Sequence, residues 1–333
     1  MINDKSPQTD FLSLNPETIL TLAEKALSKK FSGICRPLNS YINRVYELET
    51  RDGSGIIIKF YRPTRWKRQA LLDEHQFLLE LSEAEVPIIP PLKLNNAGTL
   101  GSFKNINYAL FPKKGGRFVS EYNEEQWLEL GRLLARTHAV GALKTPRGRV
   151  KIHPRAITAG QLDFLEANDF IPVELAEAFF KTGRTLVEEI APLFDHTELI
   201  RIHGDCHFSN IIYRPDESFY LIDFDDFGAG PPVQDLWMLL PDRPNRSLYE
   251  IELFMEGYET FRPFPRRSLT LIEPLRAMRY IHFIAWCAHQ VMDGGEPPTP
   301  DWGSFSYWTT ETRDLKEQLT RIKEEVRGSK GEG

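Results

Sequence analysis

The sequence predicts an α+β fold with two lobes, a small β-rich N-lobe followed by a larger, mainly helical C-lobe. Runs typical of β-strands are concentrated before residue 112, and long segments with helical periodicity follow it. A Pro-Lys-Lys-Gly-Gly stretch at residues 112–116 separates the two patterns and is typical of a connection between units. We therefore assign residues 1–112 to the N-lobe and residues 113–333 to the C-lobe.

The N-lobe is predicted to begin with a helix and to continue as a sheet. Asn15 and Pro16 suit the cap and the first turn of that helix, and apolar residues then recur at helical spacing. Later apolar runs are short, and Asp52-Gly53 between two of them is a strong turn signal. The further elements predicted here are strands at 45–48, 56–60 and 107–111 and a helix at 66–81.

The C-lobe is predicted to be helical except for a few short strands in its middle. Those strands are brief apolar or aromatic runs between polar turns, so they would present polar loops at their ends. The predicted strands are 199–202, 211–213 and 220–222, and the predicted helices are 124–138, 174–191, 248–261, 273–292 and 307–327.

Composition narrows the classes of function. With 41 basic and 47 acidic residues the net charge is −6, which argues against non-specific nucleic-acid binding. No run of about 20 apolar residues predicts a membrane span, and the polar start of the chain predicts no secretory signal. Cys35, Cys206 and Cys287 are scattered, which favours a reducing compartment over a disulfide framework. We expect a cytoplasmic monomer without nucleic-acid or membrane partners.

The densest polar group lies at the ends of the short strands in the middle of the chain. Asp205 precedes Asn210 by five positions, the spacing of an Asp-x-x-x-x-Asn loop in phosphoryl-transfer enzymes. Asp223 follows 13 residues after Asn210, so a short hairpin can bring the two side chains together. Mg²⁺ prefers oxygen ligands such as the Asn210 amide and the Asp223 carboxylate. Asp205 is then expected to accept the proton of an attacking hydroxyl, or to orient that hydroxyl.

A second signal lies in the N-lobe, where Lys59 interrupts an apolar predicted strand. A buried ammonium needs a partner, and Glu74 on the next predicted helix is the expected one, although Asp73 and Glu80 are nearby. Lys59 would then hold the α- and β-phosphates of ATP. Small polar residues around Ser40 could place backbone N–H groups over phosphates, but the segment lacks a Gly-x-Gly pattern.

Several longer segments resemble the bacterial stress response kinase A family, within the kinase-like superfamily of aminoglycoside, choline and homoserine kinases. The similar segments are residues 37–41, 43–46, 59–63, 74–77, 203–207, 233–240 and 272–279. The resemblance extends over nearly the whole chain and implies a two-lobed protein-kinase-like fold. It also implies a cytoplasmic, ATP- and Mg²⁺-dependent kinase that phosphorylates Ser or Thr of a protein substrate in envelope and oxidative stress responses.

The resemblance carries residue roles with it. It implies Asp205 as the proton acceptor, Asn210 and Asp223 as Mg²⁺ ligands, and Ser40 near the ATP phosphates. Asp235 resembles the buried aspartate that braces the catalytic loop in kinase-like folds. The pattern departs from ordinary protein kinases, because His-Gly-Asp replaces His-Arg-Asp and His207 stands where those enzymes carry Lys. These departures leave the class of acceptor open.

The sequence is also compatible with three other interpretations. A small-molecule kinase would have the same fold and nearly the same site, since fold does not settle function. A nucleotide-binding regulatory module would bind ATP without turnover. A transition-metal site could instead use His203, Asp205, Cys206 and His207, although these side chains cannot easily converge from five consecutive positions.

Overall fold

The computed structural model describes residues 11–40, 42–215, 217–297 and 299–331. A small antiparallel sheet opens the chain and mainly helical structure follows it, so the predicted fold class is confirmed. The described residues form two compact units. The first contains the residues up to Arg149, with Ile200–Phe227 and Met238–Phe264, and the second contains Val150–Leu199, Gly228–Trp237 and the residues from Pro265 onward. The predicted lobe boundary at residue 112 stays a prediction.

The bounds of the regular elements are as follows. The strands are β1 (Phe31–Leu38), β2 (Arg44–Thr50), β3 (Gly55–Phe60), β4 (Gly101–Phe103), β5 (Ile106–Pro112), β6 (Ile200–Ile202), β7 (Ile211–Arg214), β8 (Ser218–Leu221) and β9 (Gly228–Gly230). The helices are α1 (Pro16–Leu27), α2 (Arg68–Glu83), α3 (Glu124–Gly141), α4 (Thr158–Ala167), α5 (Val173–Phe194), α6 (Gln234–Trp237), α7 (Leu248–Glu259), α8 (Ile272–Met292) and α9 (Phe305–Gly331).

The sheet of the first unit has the strand order β1-β2-β3-β5-β4, and every neighbouring pair is antiparallel. The predicted turn between β2 and β3 is present: Gly53 has φ +84°, and Asp52 accepts a hydrogen bond from the Ser54 backbone N–H at 3.0 Å. Alternate residues of β3, including Ile58 and Phe60, are buried in a core that α1 completes. Alternation in a strand therefore points Ile57 and Lys59 to the opposite face.

Sequence analysis missed two strands of this sheet, β1 and β4. β1 contains Pro37 and lies at the edge of the sheet, which is where a strand tolerates a residue without a backbone N–H. Most of its side chains are exposed or half-buried, so no apolar alternation marks it. β4 is only three residues long and pairs with β5 through register contacts such as Ser102 with Asn107.

The first unit also holds the hairpin that carries the polar loops. β7 and β8 pair in antiparallel fashion, with Ile211 opposite Leu221. The hairpin is attached to α3, because Glu129 accepts hydrogen bonds from the Ser218 hydroxyl at 3.0 Å and the Phe219 N–H at 3.2 Å. α3 in turn crosses α7 closely. A Cβ at Gly131 would clash with the Phe254 carbonyl, so only glycine permits this approach.

The second unit is a helical assembly of α4, α5, α8 and α9. Its core includes Trp308, which is fully buried and packs edge-on against Phe179 at 5.9 Å between ring centroids. Helices α5, α8 and α9 match three predicted helices, whereas α4 was not predicted. Asp235 is fully buried in the short helix α6, and its bracing role stays a prediction. Among the described residues no helix has the length and apolarity needed to span a membrane.

Candidate active site

Lys59 lies on β3 with its ammonium on the face opposite the sheet core. The residue is 8% exposed, and its strand neighbours opposite are Val45 and Ala109. The Nζ atom lies 2.7 Å from Oδ1 of Asp223 and 3.6 Å from Oδ1 of Asp225. Burial alone would lower the pKa of Lys59, but these carboxylates and Glu74 outweigh burial, and the pKa lies above its ordinary value. Lys59 is therefore a fixed positive charge at all physiological pH values.

Asp223 lies where β8 ends and a single 3₁₀ turn, Phe224–Asp226, begins. Its backbone is left-handed, with φ +58° and ψ +67°, a conformation that aspartate tolerates better than most residues. The next side chain, Phe224, is buried between His203, at 4.5 Å between ring centroids, and Phe77, at 5.9 Å. The packing of Phe224 fixes the turn, while the Asp223 side chain stays 52% exposed.

The hairpin brings Asn210 and Asp223 to the same end, as the sequence predicts. Directly beyond the β7–β8 pairing, the Ile222 N–H donates to the Asn210 carbonyl at 3.0 Å, and Asp223 follows. The Asn210 side-chain amide donates to the Asp205 carbonyl at 2.9 Å. Because that bond uses the amide nitrogen, the Asn210 side-chain oxygen is the atom oriented for a cation.

The Asp205 carboxylate lies beside His207, with 3.4 Å between Oδ2 and Nε2. His207 Nδ1 accepts a hydrogen bond from the Ser209 N–H at 3.2 Å, and Nε2 faces both the Asp205 carboxylate and the Asn210 side-chain nitrogen, the latter at 3.3 Å. The contact orients a carboxylate whose side chain is 18% exposed. This arrangement suits a group that must meet an incoming hydroxyl.

His203 and Gly204 hold the backbone ahead of Asp205. His203 Nε2 is 2.8 Å from the Ile222 carbonyl, and Nδ1 accepts the Asp205 N–H at 3.3 Å. Gly204 has φ +85°, and a Cβ there would clash with the Asp226 carbonyl. The position that carries arginine in a His-Arg-Asp loop thus has room for no side chain at all.

The structure differs from the predicted pairing of Glu74 with Lys59. Glu74 is buried and forms its ion pair with Arg149, at 2.7 Å between Oε2 and NH2. It also accepts a hydrogen bond from the Tyr61 hydroxyl at 3.3 Å. Burial raises the pKa of Glu74 to about 7, although Lys59 and Arg149 pull it down. Lys59 turns to Asp223 and Asp225 instead, because Arg149 already occupies the Glu74 carboxylate.

Arg65 and Asn43 complete the charged network, and sequence analysis missed both, as it missed Arg149. Arg65 contacts Asp225 and Asp226 with its two terminal nitrogens, each at 2.5 Å. Asn43 donates to Asp225 at 3.3 Å. Burial would raise the pKa of Asp225, but Lys59, Arg65 and Arg149 outweigh it and lower the pKa. No local motif marks these residues, since each meets its partner from a distant part of the chain.

The oxygen atoms at the end of the hairpin fit a divalent cation. In this network three cationic side chains, of Lys59, Arg65 and Arg149, meet four carboxylates, of Glu74, Asp223, Asp225 and Asp226. The network therefore has more negative than positive charges, and its most exposed carboxylate is that of Asp223. Asp223 and Asn210 offer the hard oxygen atoms that Mg²⁺ prefers. Ser40 is half-buried in the connection from β1 to β2, and its phosphate role stays a prediction.

The transition-metal alternative finds no support in the geometry. Both ring nitrogens of His203 face backbone groups, and Cys206 is fully buried. In residues 11–40, 42–215, 217–297 and 299–331, no three side chains of His, Cys, Asp or Glu are grouped so that they could hold a metal ion. A two-ligand Mg²⁺ site completed by phosphate does not require such a group.

Comparisons with known proteins identify the family and the fold. The sequence model of the phosphotransferase enzyme family matches residues 34–267. Solved structures share the fold at low identity. An amicoumacin kinase in complex with AMP-PNP and Ca²⁺ has a TM-score of 0.75 and 17% identity, covering 93% of this chain and 96% of that one. A microcompartment-associated aminopropanol kinase has a TM-score of 0.68 and 17% identity, covering 91% and 98%. Fold and site together define a phosphotransferase with the kinase-like fold.

Relatives of higher identity narrow the assignment. Stress response kinase A of Escherichia coli K12 is 35% identical over 321 residues, covering 94% of this chain and 95% of the relative. The serine/threonine protein kinase RdoA of Salmonella typhimurium LT2 is 37% identical over 318 residues with the same coverage. The chain belongs to the phosphotransferase enzyme family and, within it, to the stress response kinase A family. The resemblance noted from the sequence is confirmed.

Proposed function

We propose that this protein transfers the γ-phosphoryl group of ATP, with Mg²⁺, to Ser or Thr hydroxyls of protein substrates. The observation that carries the proposal is identity of 35–37% over 94% of the chain to relatives named as stress response kinases, one of them as a serine/threonine protein kinase. Nearly end-to-end similarity at this level supports a shared acceptor class more strongly than fold likeness does. The names of the relatives support a role in a bacterial stress response.

The contacts in the site support a different role for each of its side chains. Asp205, oriented by His207, accepts the proton of the acceptor hydroxyl or aligns that hydroxyl for attack. Lys59 carries a fixed positive charge toward the α- and β-phosphates. Asn210 and Asp223 would hold Mg²⁺, which when bound neutralises charge on the phosphate oxygens. Most of the rate enhancement then arises from positioning and electrostatics.

A small-molecule kinase is the second candidate. It is favoured by the fold neighbours, which include an amicoumacin kinase, an aminopropanol kinase and a spectinomycin phosphotransferase with a TM-score of 0.63. His207, where protein kinases carry Lys, also keeps this candidate open. A third candidate, a regulatory module that binds ATP without turnover, is disfavoured because Lys59, Asp205, Asn210 and Asp223 are all present.

Phosphoryl transfer from γ-labelled ATP with Mg²⁺ separates the candidates. The wild-type enzyme is assayed for autophosphorylation and for label transfer to generic protein substrates and to a panel of aminoglycosides, choline, homoserine and aminopropanol. Label on Ser or Thr supports the proposal, and label on a small molecule alone moves the function to the second candidate. Nucleotide binding with no label on any acceptor favours the regulatory module. Asp163→Asn, at a side chain 64% exposed, is the matched control for Asp205→Asn.

A further inference from the structure

Two arginines of the site have no task in the chemistry proposed above. Arg65 lies between β3 and α2, and its guanidinium spans the carboxylates of two consecutive residues, Asp225 and Asp226. A planar guanidinium fits such a pair of acceptors in a way that a lysine ammonium cannot. Arg65 itself is 20% exposed in its side chain. It therefore joins the end of β3 to the turn that follows Asp223.

Arg149 contacts the same turn through the Asp225 carbonyl. Its side chain is fully buried and donates to the Glu74 carboxylate, to the Ala70 carbonyl at 2.9 Å and to the Asp225 carbonyl. The guanidinium lies over the rings of Trp66, at 4.3 Å, and Phe227, at 4.6 Å. One residue thus connects helix α2 with the backbone of the turn.

Each of the three residues after Asp223 is consequently held by a side chain from outside the turn. Phe224 is packed against His203, the Asp225 carboxylate and carbonyl meet Arg65 and Arg149, and Asp226 meets Arg65. The catalytic loop packs on the same turn, because Gly204 approaches the Asp226 carbonyl without a side chain between them. Within this segment the Asp223 side chain is the most exposed, at 52%, against 34% for Asp226 and 4% for Asp225.

We propose that Arg65 and Arg149 are positioning residues that fix the Phe224–Asp226 turn, so that Asp223 is pre-set to receive Mg²⁺ with the nucleotide. The inference rests on the proposed function, since it concerns the same site. It assigns the two arginines to metal use rather than to phosphate contact. Loss of Arg65 should therefore weaken nucleotide binding only in the presence of Mg²⁺.

The test measures AMP-PNP binding by calorimetry over a series of Mg²⁺ concentrations and in EDTA. For Arg65→Gln, the Mg²⁺ concentration at half-maximal binding should rise about tenfold, at the lower end of the effects seen when outer-shell metal partners are lost. Affinity in EDTA should stay within about twofold of wild type. Arg65→Lys should recover part of the shift, because the charge returns and the two-carboxylate contact does not.

Two further variants test whether the shift comes from the contacts of Arg65 with the turn. Arg68→Gln carries the same change three positions along, where the guanidinium is exposed and bonds Asn107 at 3.2 Å, and it should leave both affinities unchanged. Asp226→Asn removes the negative charge of one of the two groups that Arg65 contacts, and combining it with Arg65→Gln should add nothing to the Arg65→Gln shift. Thermal melting verifies that each variant is folded, and Arg65→Lys carries the test if Arg65→Gln does not fold.

The outcomes are distinct. An equal Mg²⁺ requirement in wild type and Arg65→Gln overturns the inference and leaves the proposed function standing. So does an equal loss of affinity with and without Mg²⁺, which would make Arg65 a phosphate ligand or a general structural residue. Wild type without any Mg²⁺-dependent nucleotide binding would overturn the proposed function as well.

Discussion

Arg149→Met is the substitution whose consequence the structure defines most sharply. Methionine roughly fills the space of the arginine stem, so the change removes mainly the charge and its hydrogen bonds. Removing one partner of a buried ion pair costs about 3–5 kcal/mol, because the other charge stays buried and uncompensated. Here that charge belongs to Glu74, and the Ala70 and Asp225 carbonyls lose a donor too. We expect the free energy of unfolding to fall by about 3–5 kcal/mol at pH 8.

The loss should depend on pH with a definite sign. In wild type the pKa of Glu74 in the folded protein is about 7, above its ordinary 4.5, and loss of Arg149 raises it further. A carboxyl whose pKa is higher in the folded than in the unfolded protein favours the folded state most at pH values below its unfolded pKa. This contribution to the free energy of unfolding is lost as the pH rises through the folded pKa. The variant should therefore be less destabilised at pH 5 than at pH 8, by about 1–3 kcal/mol.

Urea unfolding followed by circular dichroism measures both effects. Arg184→Met is the matched control, because Arg184 pairs with Asp163 and Glu166 at a side chain 46% exposed, where an ion pair contributes about 0–1 kcal/mol. Arg149→Met with Glu74→Gln should regain part of the stability. A loss below about 1 kcal/mol at pH 8, or a loss that is the same at both pH values, would show that the contact of Arg149 with Glu74 does not stabilise the fold in this way.

Three further predictions concern single positions. Gly204→Ala should lower the melting temperature and abolish phosphoryl transfer, because φ is +85° and the new Cβ would clash with the Asp226 carbonyl. Gly160→Ala, at a position with open space around it, is the control. An active Gly204→Ala enzyme would contradict the loop geometry. Lys59→Met should weaken nucleotide binding at least tenfold, as a lost charged contact of about 1.5–3 kcal/mol implies, while Lys104→Met should not; unchanged binding by calorimetry would remove Lys59 from the phosphate site. Dephosphorylated enzyme, verified by mass spectrometry, should keep full activity because position 204 has no arginine to pair a phosphate, and activity lost with the phosphate would contradict this.

The parts of the site that sequence analysis found are those set by local spacing. The five-residue interval from Asp205 to Asn210 and the hairpin to Asp223 need only adjacent strands to bring the groups together. Lys59 was found because a charge in an apolar strand is conspicuous. The sheet and most helices followed from periodicity in the same way, whereas the edge strand β1 and the three-residue β4 carry no such pattern.

The parts that were missed depend on contacts over long sequence separations. Glu74 was chosen over Asp73 and Glu80 as the partner of Lys59, but each acid has its own partner. Asp73 accepts the N–H groups of Arg147 at 2.8 Å and Gly148 at 2.6 Å, which anchors the residues just before Arg149 to α2. Arg149 then occupies Glu74, 75 residues away in sequence. No spacing rule predicts such a contact, because the loop that makes it has no regular structure.

The chemistry proposed for this protein depends on the action of Asp205 on the acceptor hydroxyl. Its most direct test is the rate of label transfer from γ-labelled ATP to Ser or Thr by wild type and Asp205→Asn, with AMP-PNP affinity measured on both. We expect a loss of about 10²–10⁴-fold in rate with the affinity unchanged, because the substitution removes the proton acceptor and keeps the fold. Label transfer by Asp205→Asn at the wild-type rate would show that Asp205 is not the proton acceptor.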